Sequence, residues 1–171
     1  DGVKWGALKK TPLTIFLACS VLSTPVLAGT SDALAGSNAM SAWKNSTDQA
    51  IEFSKAGKLD QALAAAELAL DTATKNFGPD DERVGQSLRT VAQVHLSRQN
   101  VFQAEIYYGR ALELYKKVKG INDPETANTM VQAGSLYLSL QRFPEAEELL
   151  RSGYEALRNA YGKDDPRITM A

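Results

Sequence analysis

A 42-residue spacing recurs through this chain. Ala62, Ala104 and Ala146 lie 42 apart, as do Gly78, Gly120 and Gly162, and Asp81, Asp123 and Asp165. Self-similarity at such a period marks a stacked array. No unit of it hides its apolar face alone, and each borrows its core from its neighbours. An array offers an extended surface for binding rather than a pocket for chemistry.

In register, the units run over about residues 43–84, 85–126 and 127–168. Each opens with a helical stretch carrying a small residue at Ala50, Ala92 or Gly134. Three positions later comes a ring: Phe53, His95 or Tyr137. A short turn follows at Gly57-Lys58, Gln99-Asn100 or Gln141-Arg142. The second helix begins at Leu59, Val101 or Phe143 and carries Ala69, Ala111 or Gly153. Apolar residues three and four apart, as in Leu63-Ala66-Leu70, paint one face of each helix. Small residues let two antiparallel helices approach closely, and the ring fills the space beside them. Glycine at 78, 120 and 162 predicts a left-handed stop to the second helix. Asp123-Pro124 and Asp165-Pro166 predict an N-cap and first turn for the next helix.

These residues resemble the tetratricopeptide repeat, whose usual unit is about 34 residues. The longer unit with its extended second helix is similar to the kinesin light chain type. The resemblance covers about residues 42–168. It departs from the pattern in unit one, where Ser46 and Gln49 replace Leu88 and Val91, and at Glu82, where the other units have proline. It implies an all-α, right-handed α-solenoid of antiparallel helix pairs, with first helices facing a concave side that receives a peptide or protein. Carried over by register, the outward positions are Lys44, Thr47, Ile51, Ser54 and Lys55 in unit one. Unit two gives Gln86, Arg89, Gln93, Leu96 and Ser97, and unit three gives Asn128, Val131, Ser135, Leu138 and Ser139.

Residues 1–28 differ in kind. Lys4, Lys9 and Lys10 form a positive start, Thr11 to Leu27 is mostly apolar, and Val26-Leu27-Ala28 ends in small residues. That layout predicts a cleaved secretory signal peptide, and hence a periplasmic or secreted protein of bacterial type. A retained membrane anchor is the plainer alternative. A third arises because Leu17-Ala18-Cys19 resembles the end of a lipoprotein signal, which would place a lipid anchor at Cys19. Residues 29–41, rich in Gly, Ser, Ala and Thr, read as a flexible leader. Residues 169–171 continue the opening of a fourth first helix, begun at Pro166, so the chain is expected to be a fragment, or to have its last apolar face covered by a partner or by self-association.

Little here suggests catalysis. A formal charge of −1 offers nucleic acid and anionic lipid no general attraction. The single histidine, His95, stands at a ring position, and the paired carboxylates Asp80-Asp81 and Asp164-Asp165 read as caps rather than metal ligands. No phosphate-cradling glycine motif or nucleophile elbow is present. The sequence therefore predicts a non-catalytic interaction scaffold without metal or cofactor. A structural piece of an envelope assembly, or the accessory part of a longer enzyme, are the alternatives.

Overall fold

The apolar stripes pair as the period requires. The structure, a computed structural model, describes residues 26–162, with side chains from residue 35 onward. Six helices follow one another: α1 (Val26–Lys55), α2 (Leu59–Phe77), α3 (Glu82–Ser97), α4 (Val101–Val118), α5 (Pro124–Ser139) and α6 (Phe143–Tyr161). No strand occurs among the described residues. Each odd helix packs against the even helix that follows, and each hairpin leans on the next through α2 against α3 and α4 against α5. The result is an all-α solenoid of three helix pairs.

The core is a string of linked clusters. Trp43 of α1, Ala69 and Ala73 of α2, Val84 and Leu88 of α3 and Leu114 of α4 share one cluster, so unit one is sealed by unit two. Ala92, Ala104, Tyr108, Ala133 and Leu136 join α3, α4 and α5 in the same way. Trp43 also donates its indole N–H to Ser87 Oγ at 2.9 Å, satisfying a buried donor across the joint.

Local signals act where the sequence places them. Asp81 and Asp123 cap α3 and α5, each accepting from the backbone N–H two residues on, at 2.9 Å. Gly78 and Gly162 stop α2 and α6 with positive φ, but their ψ values of 161° and 159° lie outside the left-handed helical well. They occupy an extended region open to glycine almost alone. The left-handed stop falls instead at the turn inside each hairpin. There Lys58, Asn100 and Arg142 donate backbone N–H groups to the carbonyls of Phe53, His95 and Tyr137, five residues back. Gly57 takes φ 71° in this motif, and Gln99 and Gln141 take φ 63° and 60°.

A side chain at positive φ carries strain of about 1 kcal/mol. Gln99→Gly and Gln141→Gly are therefore each expected to raise stability by about 0.5 kcal/mol, the gain being trimmed by glycine's greater freedom when unfolded. Urea melts of the single and double variants measure this, and a loss of stability would contradict it.

One expectation is corrected. Helix α1 begins at Val26, so the stretch assigned to a flexible leader at 29–41 lies within a helix. Ala33, Leu34, Ala35, Ala39 and Met40 are good helix formers. Once Trp43 and Ala50 are packed, adding turns upstream needs no new nucleus. Most of the predicted signal peptide, Asp165-Pro166 and the start of a fourth first helix lie outside the described residues.

Candidate functional site

The first helices of the three units, α1, α3 and α5, stand side by side. Trp43 to Ser87 ties α1 to α3. Arg89 Nη1 to Glu125 Oε2 at 2.8 Å and Gln93 Nε2 to Gln132 Oε1 at 3.4 Å tie α3 to α5. Lys44, Ile51 and Lys55 are exposed along α1, and Gln93, Leu96 and Ser97 along α3. Ser135, Leu138 and Ser139 are exposed along α5. Ser54, Gln86, Arg89 and Asn128 are half-buried among them. Leu96 and Leu138 occupy equivalent positions, so two partly exposed leucines repeat along this row, with Ile51 also exposed on α1.

Two residues assigned to this surface are not on it. Thr47 is buried, with its hydroxyl donating to Trp43 O at 2.9 Å. Val131 is buried against Ala127, Ala156 and Leu157. Both share a register position with Arg89, at the boundary between the open face and the hairpin interior. An arginine there is long enough to reach across the boundary to Glu125, whereas short Thr and Val side chains stay inside.

The pattern of the tetratricopeptide repeat matches residues 88–159. That match, over part of the chain, supports a tetratricopeptide-repeat assignment. Its fold resembles that of BtubC (BKLC) from P. vanneervenii, with a TM-score of 0.62 and 24% identity. The match spans 68% of this chain and 46% of that one. Against curated proteins the sequence finds no significant match.

Helices α3, α4 and the start of α5 also enclose a polar cleft of about 180 Å³, lined by Glu82, Gln86, Arg89, Tyr115, Lys119 and Glu125. Sequence reasoning found Gln86 and Arg89 but missed the others. Glu125 aligns with Arg83 at the start of α3, so no repeat signal marks it. Lys119 Nζ binds Glu82 at 2.9 Å, and that contact holds its ammonium pKa above the ordinary value. Burial pushes the Tyr115 phenol up to about 12, partly offset by the nearby Arg89 guanidinium. Arg89 and Lys119 are thus already engaged by carboxylates of this chain, and an incoming acid would have to displace Glu125 or Glu82.

No three His, Cys, Asp or Glu side chains among the described residues come together in a way that could hold a metal ion. No described helix is long and apolar enough to cross a membrane. Asp81 is spent as a cap, and Asp80 binds Lys117 Nζ at 2.7 Å. His95 is buried, stacked on Tyr107 with ring centroids 5.4 Å apart, and its Nδ1 has no partner. Burial, reinforced by nearby Arg98, lowers its pKa below the ordinary 6.5. The unfolded chain therefore binds this proton more readily than the folded one. The stability contribution is complete above pH 6.5 and falls as the pH drops below it. His95→Phe, which borrows the residue unit one uses (Phe53), is expected to gain stability over the parent increasingly below pH 6.5. Thermal melts across that range check this, and a difference that does not vary with pH would contradict it.

Proposed function

We propose that this chain is an exported, non-catalytic scaffold that receives a peptide or protein segment along the row formed by α1, α3 and α5. The observation that carries the reading is the repeated exposure of Leu96 and Leu138, with Ile51 on α1, among the polar groups of Lys44, Gln93, Asn128 and Ser135. Partly exposed apolar side chains supply desolvation energy, and the polar groups beside them fix a chain's direction and register. The helices are held by their own cores, so little ordering cost falls on binding. The positive, apolar and small-residue layout of residues 1–28 supports export.

Peptides selected from a random library on the 171-residue chain test the surface. Leu96→Ser with Leu138→Ser is expected to weaken the selected peptides about tenfold or more, equivalent to about 1.4 kcal/mol. Arg89 is a poorer choice for this purpose, because its loss also removes a tie between units two and three. Unchanged affinity in the double variant would exclude the row. For export, a phosphatase fused after residue 41 is expected to be active only outside the cytoplasm.

A further inference from the structure

Helix α4 carries a face that neither the core nor the row of first helices uses. Phe102, Ile106, Arg110, Glu113 and Lys117 follow one another at spacings of three and four, so they share one side of the helix. All five are exposed, Phe102 by 83% and Ile106 by 53%. The face is thus apolar in its first half and charged in its second. Arg110 rests over the Tyr107 ring at 5.6 Å, and among the described residues neither Arg110 nor Glu113 is in an ion pair. The repeat does not require the apolar pair. Asp60 and Pro144 occupy the Phe102 position in the other units, and Ala64 and Glu148 occupy that of Ile106.

The charged half borders a hollow of about 320 Å³. Arg110, Glu113 and Lys117 form its α4 wall, and Val84, Leu88 and Leu114 of the core also line it. The same helix therefore offers an apolar projection at one end and a part-apolar recess at the other. Between them lies Gly109, three residues after Ile106 and four before Glu113. A Cβ added there would meet nothing within 4 Å. Glycine is disfavoured in a helix interior, and no contact inside the protomer calls for it. A second backbone crossing at that point would.

We infer that this face of α4 pairs with the same face of a second copy of the chain, the two helices antiparallel about a two-fold axis that passes between Arg110 and Glu113. Charge order selects this occupant. In an isologous pair each residue meets its counterpart in reverse order, so each Arg110 faces the other copy's Glu113 and the reverse. Ile106 lies four residues before Arg110, and Lys117 four after Glu113. The same axis therefore sets each Ile106 at the level of the other copy's Lys117, beside its hollow. Phe102, one turn further out, covers the end of the other α4. A purely basic helix would meet Arg110, and a purely acidic one or an anionic bilayer would meet Glu113. The row on α1, α3 and α5 stays open, so the dimer would present it twice.

Sedimentation velocity of the full 171-residue chain tests this. A patch one helix wide is small for an interface, so a weak dimer is expected, with a Kd of about 10–100 μM. Phe102→Ser with Ile106→Ser is expected to weaken it about tenfold or more. Because both side chains are exposed, circular dichroism and the melting temperature of that variant, measured on dilute monomer, should match the parent. Arg110→Glu alone and Glu113→Arg alone are each expected to be monomeric, and an equal mixture of the two is expected to form a heterodimer. Gly109→Gln is expected to raise the melting temperature of the dilute monomer while weakening the dimer. Leu96→Ser with Leu138→Ser, on the first helices, should leave association unchanged. The inference is overturned if the parent stays monomeric well above that range, or if the serine variant associates unaltered, as it would through residues 1–28 or the last unit. A mixture of the two charge variants that fails to associate would equally overturn it.

Discussion

Truncating Tyr115 to alanine is expected to cost about 3–5 kcal/mol and to lower the melting temperature by about 10 °C or more. Tyr115 is among the largest fully buried side chains. Its ring lies so close to α3 that a Cβ at Gly85 would sit 2.9 Å from ring atoms Cε1 and Cζ. Glycine at position 85 therefore exists to let the ring lie flat on a neighbouring backbone. Removing the ring leaves a cavity at the centre of unit two that two packed helices cannot close. It also empties one wall of the cleft that holds Arg89 and Glu125. Tyr115→Phe keeps the ring and is expected to cost no more than about 1 kcal/mol. Urea and thermal melts of the two variants check the ordering, and equal losses in both would contradict the packing account.

Enlarging Gly153 is expected to cost about 3 kcal/mol as valine and about 1 kcal/mol as alanine. A Cβ on Gly153 would meet Val131 Cγ2 at 2.9 Å, Ala127 O at 3.0 Å and Met130 Cβ at 3.2 Å. One of those atoms is a backbone oxygen, so relief requires α5 and α6 to separate. Alanine is worth about 1 kcal/mol over glycine in a helix interior, and that gain is outweighed here. The repeat equivalents Ala69 and Ala111 respond in the opposite sense, because each is fully buried with its methyl in the packing. Ala111→Gly is expected to destabilise by removing that methyl. A matched stability gain from Gly153→Ala would show that the third hairpin is looser than its geometry indicates.

These two cases mark how far the sequence could be read. The spacing of Ala69, Ala111 and Gly153 identifies one position where two helices touch, and the glycine and aspartate ladders locate the breaks between helices. Those signals are local and periodic, so they survive translation into structure. How close a given pair of helices comes is set by every side chain between them, and no single position reveals it. The candidate face divides in the same way. Lys44, Ile51, Gln93 and Ser135 are exposed as register implies, while Thr47 and Val131 are buried because their position straddles the boundary and their side chains are short. Glu125 escaped notice because its partner Arg89 lies 36 residues away on another unit, a relation fixed by the offset between stacked hairpins. The positive φ of Gln99 and Gln141 was likewise invisible, since glutamine seldom adopts it and only the alignment with Gly57 hints at it.

The ion pairs between units have a mechanical consequence. Units one and two are bridged by Asp60–Arg98 and Asp80–Lys117, and units two and three by Arg89–Glu125 and Glu105–Arg142. Such partly exposed pairs add little to overall stability, about 0–1 kcal/mol each. Each spans a seam where one hairpin rocks against the next, and acts as a spring whose stiffness is set by the surrounding electrolyte. In dilute buffer the superhelix should hold one curvature, and in brine its seams should slacken and its end-to-end distance broaden.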